Sequence, residues 1–381
     1  MAKSNILKGG IVTTRVVCAV CFLAFSFLWL FWFQADLLTV AQHVLSGGVT
    51  HYNRTVGATI ITLVLFLLQL AVLAITRLTR RTHALTYGPS FLALTFISDI
   101  NVSADKGVEV GNCWWLLVLM FVLWIGGVWL ARQMLPYADD AKVSTGLFSA
   151  RTWMNLLQMT AMMLFVAAVG NTNAVLHFRA HAETALLRGD NKEAMRVGWE
   201  SLETDRQLTM LRAFALSREG LLGEKLFCYP VAGRGADLLP MHEAPLLLPA
   251  DSIWRHLGAK PAIPMRAQLY YQLLEEDSLA TPAVADYVLC GKLVDRDLKS
   301  FVSLLPQYYS ETTTLPRHYR EALVLYRHLH PDSSMDFSDE QVEAEWQELQ
   351  QLKEQYPQGT EQRVQLLEHF RNTYWYYYET R

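Results

Sequence analysis

What most constrains this chain is a set of apolar runs in its first 170 residues, each about as long as a bilayer is thick. A helix crossing the hydrocarbon core needs roughly 20 mostly apolar residues. Four stretches meet that length: about 14–33 ("TRVVCAVCFLAFSFLWLFWF"), 56–76, 112–131 ("NCWWLLVLMFVLWIGGVWLA") and 153–170. Trp29, Trp32, Trp114, Trp115 and Trp153 lie near their ends, where amphipathic rings favour the headgroup region. The first run is long and ends in bulky aromatics rather than a small-residue cleavage site, so it reads as an uncleaved span.

A fifth stretch, 84–98 ("ALTYGPSFLALTFIS"), is short and carries Pro89. Whether it crosses decides which side everything downstream occupies, and charge arbitrates, because Lys and Arg collect on the cytoplasmic side. With five crossings the inside carries Lys3, Lys8, Arg15, Arg77, Arg80, Arg81, Arg132, Lys142 and Arg151. The outside then holds Arg54 and Lys106 beside Asp36, Asp99, Asp105 and Glu109. Five crossings give the sharper asymmetry and put the second half of the chain outside the cytoplasm. The ionisable residues of these runs sit near their ends, which disfavours a transporter.

Residues 171–381 have the polar balance of a water-exposed helical domain. Ala174, Phe178, Ala182 and Ala185 share one helical face. Asp190 with Glu193 forms a capping box, and the next helix places Met195, Trp199 and Leu202 on one side. Thr204 with Gln207, Asp295, and Ser338 with Gln341 mark further helix starts, and "NTYWYYYETR" supplies aromatics suited to closing a core. Short capped helices, turn glycines and small residues at close approaches give the pattern of helix–turn–helix repeats. The expected fold is all-α: transmembrane helices over 1–170, then a tetratricopeptide-like α-solenoid over 171–381.

That pattern is interrupted at 229–264, where closely spaced prolines forbid a continuous helix. The segment reads as a long connection covering the repeat's surface, or as a functional loop lining its groove, since ordered long loops are often functional. Arg234, His242, Glu243, Trp254 and Arg255 are the polar and aromatic residues this segment offers a protein or peptide partner.

Chemistry is harder to find. His177 and His181 stand at i and i+4, but a zinc protease would need Glu after the first His and this chain has Phe178. There is no phosphate-binding glycine loop and no nucleophile elbow. Cys18 and Cys21 lie inside an apolar run and read as small core residues, while Cys228 and Cys290 could pair only in an oxidising compartment. Asp139–Asp140 reads as a solvated loop. A net charge of −3 argues against nucleic acid as a ligand. No catalytic residue, metal or cofactor is therefore expected.

"NTNAVLHFRAHAETALLRGDNKEA", "PAIPMRAQLYYQLLE" and the terminal "NTYWYYYET" together resemble a family of uncharacterised bacterial membrane proteins with a tetratricopeptide-like tail. The resemblance implies a multi-pass protein of the bacterial inner membrane and carries no activity with it. The expected function is a membrane-tethered adaptor or assembly factor for cell-envelope proteins, embedded in lipid and holding a protein or peptide on its helical domain. The alternative is a transferase-like membrane enzyme acting on a lipid-linked substrate through Asp36, Asp99, Asp105 and Glu109.

Overall fold

A computed structural model describes residues 2–78, 80–103, 107–111, 114–134, 149–241, 243–310, 315–331, 337–356 and 359–380. Asp105, Asp139, Asp140 and His242 lie outside the described residues. The chain is mostly helical and forms two compact units that meet in sequence at Asn173 and Ala174.

In the first unit α1 (Ala2–Leu28) runs into a π-helical turn, Trp29–Phe33, followed by α2 (Ala35–Leu45) and α3 (Arg54–Thr76). A 3₁₀ helix, Arg80–Tyr87, leads into α4 (Gly88–Ser98). A hairpin of β1 (Ile100–Ser103) and β2 (Gly107–Val110) precedes α5 (Trp114–Met134) and α6 (Ala150–Val169). Among the described residues, four segments are long and apolar enough to cross a membrane: Val12–Phe33, Arg54–Thr76, Trp114–Met134 and Ala150–Val169.

The stretch with Pro89 behaves differently. Pro89 sits in the first turn of α4, where its missing N–H costs nothing. With 11 residues, α4 is only about 16 Å long. The 3₁₀ helix before it roughly doubles that reach. Gln69 Nε2 donates to Thr86 Oγ1 at 3.0 Å and Ser90 Oγ donates to the Leu65 carbonyl at 2.7 Å, so the segment runs antiparallel to α3. At one end of this unit Thr14 meets Thr152 at 3.2 Å, and Arg132 Nη2 donates to the Ile75 carbonyl at 2.9 Å. At the other, Trp29 Nε1 donates to Ser98 Oγ at 2.8 Å and the Asn171 amide donates to the Ser98 carbonyl at 2.9 Å. The chain therefore passes along this unit five times. The segment is also its most enclosed part, with Ala84, Thr86, Ser90, Leu94, Thr95 and Ser98 fully buried. Asn155 Oδ1 accepts from the Ala84 amide at 2.7 Å. This side-chain acceptor serves backbone that a 3₁₀ turn and a proline leave outside an α-helical ladder.

The second unit contains α7 (Ala174–Leu187), α8 (Asn191–Arg196), α9 (Arg206–Arg218), α10 (Leu222–Lys225) and α11 (Ala250–Leu257). Next come α12 (Ala267–Glu276), α13 (Ala283–Val294), α14 (Leu298–Tyr308) and α15 (Arg317–Leu329). The last three are α16 (Glu340–Gln355), α17 (Thr360–Phe370) and α18 (Tyr374–Thr380). Asp190 caps α8 as expected, accepting from the Glu193 amide at 2.9 Å. Three other caps shift. Asp205 rather than Thr204 caps α9, Asp297 rather than Asp295 caps α14, and Asp339 rather than Ser338 caps α16. A carboxylate at the helix start gains from the macrodipole as well as from the hydrogen bond. Helix α8 ends at Arg196, so Trp199 and Leu202 never reach the expected face and are exposed.

The packing also departs from a linear stack, in which each repeat touches only its neighbours. Helix α13 is central: α10, α11, α12, α14 and the 3₁₀ turn Gly235–Leu238 all pack on it. The terminal aromatics fold back into the same core. Tyr374 and Trp375 are fully buried, and the Tyr374 ring meets Phe227 at 4.9 Å. Trp375 Nε1 donates to the Glu321 carbonyl at 2.8 Å, and Tyr377 hydroxyl donates to the Val294 carbonyl at 2.7 Å.

Candidate functional site

Two carboxylates help to hold the proline-rich segment. The buried Glu183 carboxylate of α7 accepts the amides of Leu246 (3.2 Å), Leu247 (2.5 Å) and Leu248 (2.9 Å). Burial pushes this carboxyl up, against the pull of those three donors and of Arg179. The Gly235 amide donates to Asp295 Oδ1 at 2.8 Å, and Gly235 lies on the backbone of Gly291. A Cβ at Gly235 would come within 2.3 Å of the Gly291 carbonyl oxygen. Asp295 is thus the carboxylate that fastens the segment rather than a helix cap.

Fixed in this way, the segment forms one wall of a groove of about 750 Å³. Gly235, Ala236 and Met241 come from the segment; Met265, Tyr271, Leu304 and Tyr308 supply apolar surface from α12, α14 and the chain before α12. Arg266, Gln272, Glu275 and Lys292 add polar groups. Tyr308 hydroxyl donates to the Glu275 carboxylate, and both burial and that carboxylate push the phenol up. Tyr271 is held far above the usual phenol range, first by burial and then by neighbouring Tyr287. Both phenols are therefore neutral; Tyr308 offers a ring with a polar tip, whereas the Tyr271 hydroxyl is itself buried.

The residues expected to meet a partner are scattered. Trp254 is 4 % exposed and packs edge-on against Tyr270 with centroids 4.9 Å apart, so it belongs to the core. Arg255, next to it, is exposed on α11. Arg234 is exposed beside the Gly235 contact, and Glu243 lines a recess of about 20 Å³ with Arg206 and Met210. These four residues lie outside the lining of the large groove. The segment reaches the groove through Gly235, Ala236 and Met241.

A second cavity, of about 340 Å³, opens beside Cys228 and is lined by Trp199, Leu202, Tyr229, Val231, Leu367 and Tyr376 among others. Cys228 and Cys290 are both free thiols. Cys290 is buried against the Tyr319 hydroxyl at 3.4 Å. Cys228 Sγ instead lies 3.8 Å from Nε2 of His318, whose Nδ1 is 3.0 Å from Glu321 Oε2. His177 and His181 of α7 lie elsewhere, and His181 Nε2 meets Glu193 Oε1 at 3.0 Å.

Of the acidic residues Asp36, Asp99 and Glu109, Asp36 is paired with Arg54 at 3.0 Å. Glu109 is exposed on β2. Asp99 is 6 % exposed, and burial pushes its carboxyl up.

Residues 265–381, from the start of the groove wall to the terminal aromatics, match a family of unknown function (DUF6057). No curated protein and no solved structure matches the chain.

Proposed function

We propose that this protein is a membrane-anchored helical adaptor that holds an extended segment of a cell-envelope protein in the groove between α12, α13 and α14. The observation that carries this reading is the groove's construction. A proline-rich strap is fixed rigidly on α13, and methionines, which adapt to varied partners, line the groove beside tyrosines, which anchor partners well. A preformed wall also lowers the ordering cost of binding. The mutual packing of α7, α8 and α9 around the turn capped by Asp190 supports a tetratricopeptide-like origin for the start of the unit. Architecture alone does not fix function, so the groove must be tested directly.

A photo-crosslinking residue at Met265 or Tyr308, activated in living cells, should capture a discrete protein. The same probe at Arg255, outside the groove, should not. Equal capture from both positions, or lipid alone at Met265, would sink the adaptor reading.

The five passes of the first unit support an inner-membrane location with the C-terminal unit outside the cytoplasm. Arg15, Arg77, Arg81, Arg132 and Arg151 fall toward the end where α1 and α6 begin, whereas Asp36, Asp99 and Glu109 fall toward the other. A protease site placed in the turn at Arg188–Asp190 should be cut from the periplasmic side of intact spheroplasts. Protection there, with cutting only after lysis, would reverse the orientation.

The enzyme reading has one observation in its favour. Asp99 Oδ2 is buried with no hydrogen-bond partner among the described residues, an arrangement that needs an explanation. D99N should abolish function with folding intact if that carboxylate serves a transferase reaction, and should be silent in an adaptor.

A further inference from the structure

Cys228, His318 and Glu321 form a chain of three interacting groups that the adaptor reading does not use. Cys228 ends the 3₁₀ turn Leu226–Cys228 that follows α10. His318 and Glu321 stand one turn apart on α15, both fully buried. Glu321 Oε2 takes the Nδ1–H of His318, which fixes the ring's orientation and directs Nε2 toward Cys228 Sγ at 3.8 Å. Glu321 is itself held by Arg317 Nε at 2.8 Å and by the Tyr374 amide at 2.6 Å. The Phe227 ring meets the imidazole edge-on at 5.3 Å. The dyad is thus closed off from solvent, while the half-buried sulfur lines the 340 Å³ cavity. A nucleophile within reach of a base, with that base oriented by a third group, is the general arrangement for covalent catalysis.

We propose that Cys228 is a nucleophile for acyl transfer, taking an acyl group from an oxygen ester or thioester with a short apolar chain. His318 moves the proton and Glu321 is the positioning residue. Trp199, Leu202, Val231 and Leu367 line the cavity with the apolar surface such a chain would need. In the first step Sγ attacks as thiolate, with its proton on Nε2. The S–C bond forms, the bond from the carbonyl carbon to the leaving oxygen or sulfur breaks, and the leaving group departs with that electron pair and takes the Nε2 proton. In the second step water gives a proton to Nε2, its oxygen bonds to the carbonyl carbon, and the S–C bond breaks to return the thiolate and release the acid. Burial opposes charge on His318, but Glu321 and Cys228 outweigh it and push the ring up to about 9. The Nε2 proton that the thiol gives up is therefore held on the ring until the leaving group takes it. The other charged groups around the dyad are Arg317, Glu345 on α16 and Glu224 on α10, which are joined through Arg317.

The test uses the full-length protein in detergent at pH 7 with p-nitrophenyl butyrate, following nitrophenolate release and mapping the adduct by peptide mass. Cys228 should be acylated at least tenfold faster than glutathione at the same concentration. The adduct should vanish in C228S and form at least tenfold more slowly in H318Q. In E321Q the pH at which the acylation rate rises should move upward, because a less firmly held imidazolium supports less thiolate, a change that loosened packing alone would not produce. Acylation of wild-type Cys228 no faster than glutathione would overturn the proposal, and that comparison stands even if H318Q fails to fold. Nitrophenolate release that persists undiminished in C228S would overturn it as well.

Discussion

Gly235 lies flat against Gly291, close enough that a methyl group on the first would strike the carbonyl oxygen of the second at 2.3 Å. The relationship is asymmetric. A Cβ at Gly291 would meet Gly235 atoms at 3.7 Å and beyond, an ordinary contact. G235A should therefore destabilise the C-terminal unit by about 2 kcal/mol or more, as overpacking against backbone does. G291A should be tolerated and can gain from the helical preference for alanine. Urea midpoints of the two variants in detergent compare them directly, and equal losses would contradict the geometry.

Glu183 is the acceptor for three consecutive amides of the strap. E183A leaves those donors without it in a buried setting, at about 1–3 kcal/mol for each group left unsatisfied. The expected loss is about 3–5 kcal/mol, accompanied by rapid proteolysis around residues 244–249. A variant that melts normally with its strap intact would show that other acceptors take over.

The His318–Glu321 pair makes stability depend on pH at both ends of the scale. His318 is raised from 6.5 to about 9, so its contribution is whole below 6.5 and disappears as pH rises through about 9. For Glu321, burial works against the charge, yet His318, the Tyr374 amide and Arg317 hold its carboxyl below 4.5. Its contribution is whole above 4.5 and disappears as pH falls through that lower value. Stability should be greatest in between and weaken by on the order of 3 kcal/mol by pH 10. H318Q should flatten the alkaline limb, a difference visible in thermal melts from pH 5 to pH 10. An unchanged limb would separate the alkaline loss from this histidine.

Trp254 and Arg255 are neighbours with opposite expectations. W254A removes a buried ring and should cost about 3–5 kcal/mol. R255A changes an exposed side chain and should stay within about 0.5 kcal/mol. Thermal denaturation of both tests whether this helix faces inward through its tryptophan.

Apolar length made the four long spans legible, because a bilayer imposes it on any helix that crosses. Shortness and Pro89 made the remaining pass look weak; the acceptor for its Ala84 amide, Asn155, and the partners of Thr86 and Ser90, Gln69 and the Leu65 carbonyl, lie outside the segment. The helix starts were legible to within one or two residues, since Thr204 and Asp205, or Ser338 and Asp339, compete for the same cap. The closed packing around α13 was not legible. Helical periodicity reports that a face is buried, not which distant helix covers it. For the same reason the strap was visible as a run of prolines, whereas its fastenings at Glu183 and Asp295 depend on contacts 60 or more residues apart. His318 and Glu321 stand at a spacing that shares a helix face, a signal available in the sequence. Cys228 is 90 residues away from His318 and could be joined to it only by the fold.

The 3₁₀ and α4 segment also bears on how the first unit is built. It carries His83, Thr86 and Ser90 into the interior, and Ala84 relies on an acceptor from α6, the last long helix of that unit. If the first unit is threaded into a bilayer as proposed above, α3 and the segment arrive well before residue 155 exists. The segment must then wait beside its earlier neighbours, its polar groups sheltered by Gln69 and the Leu65 carbonyl, until α6 arrives. Insertion would then have an order: the long helices enter on their own hydrophobicity, and the short one is completed by the last helix of its unit.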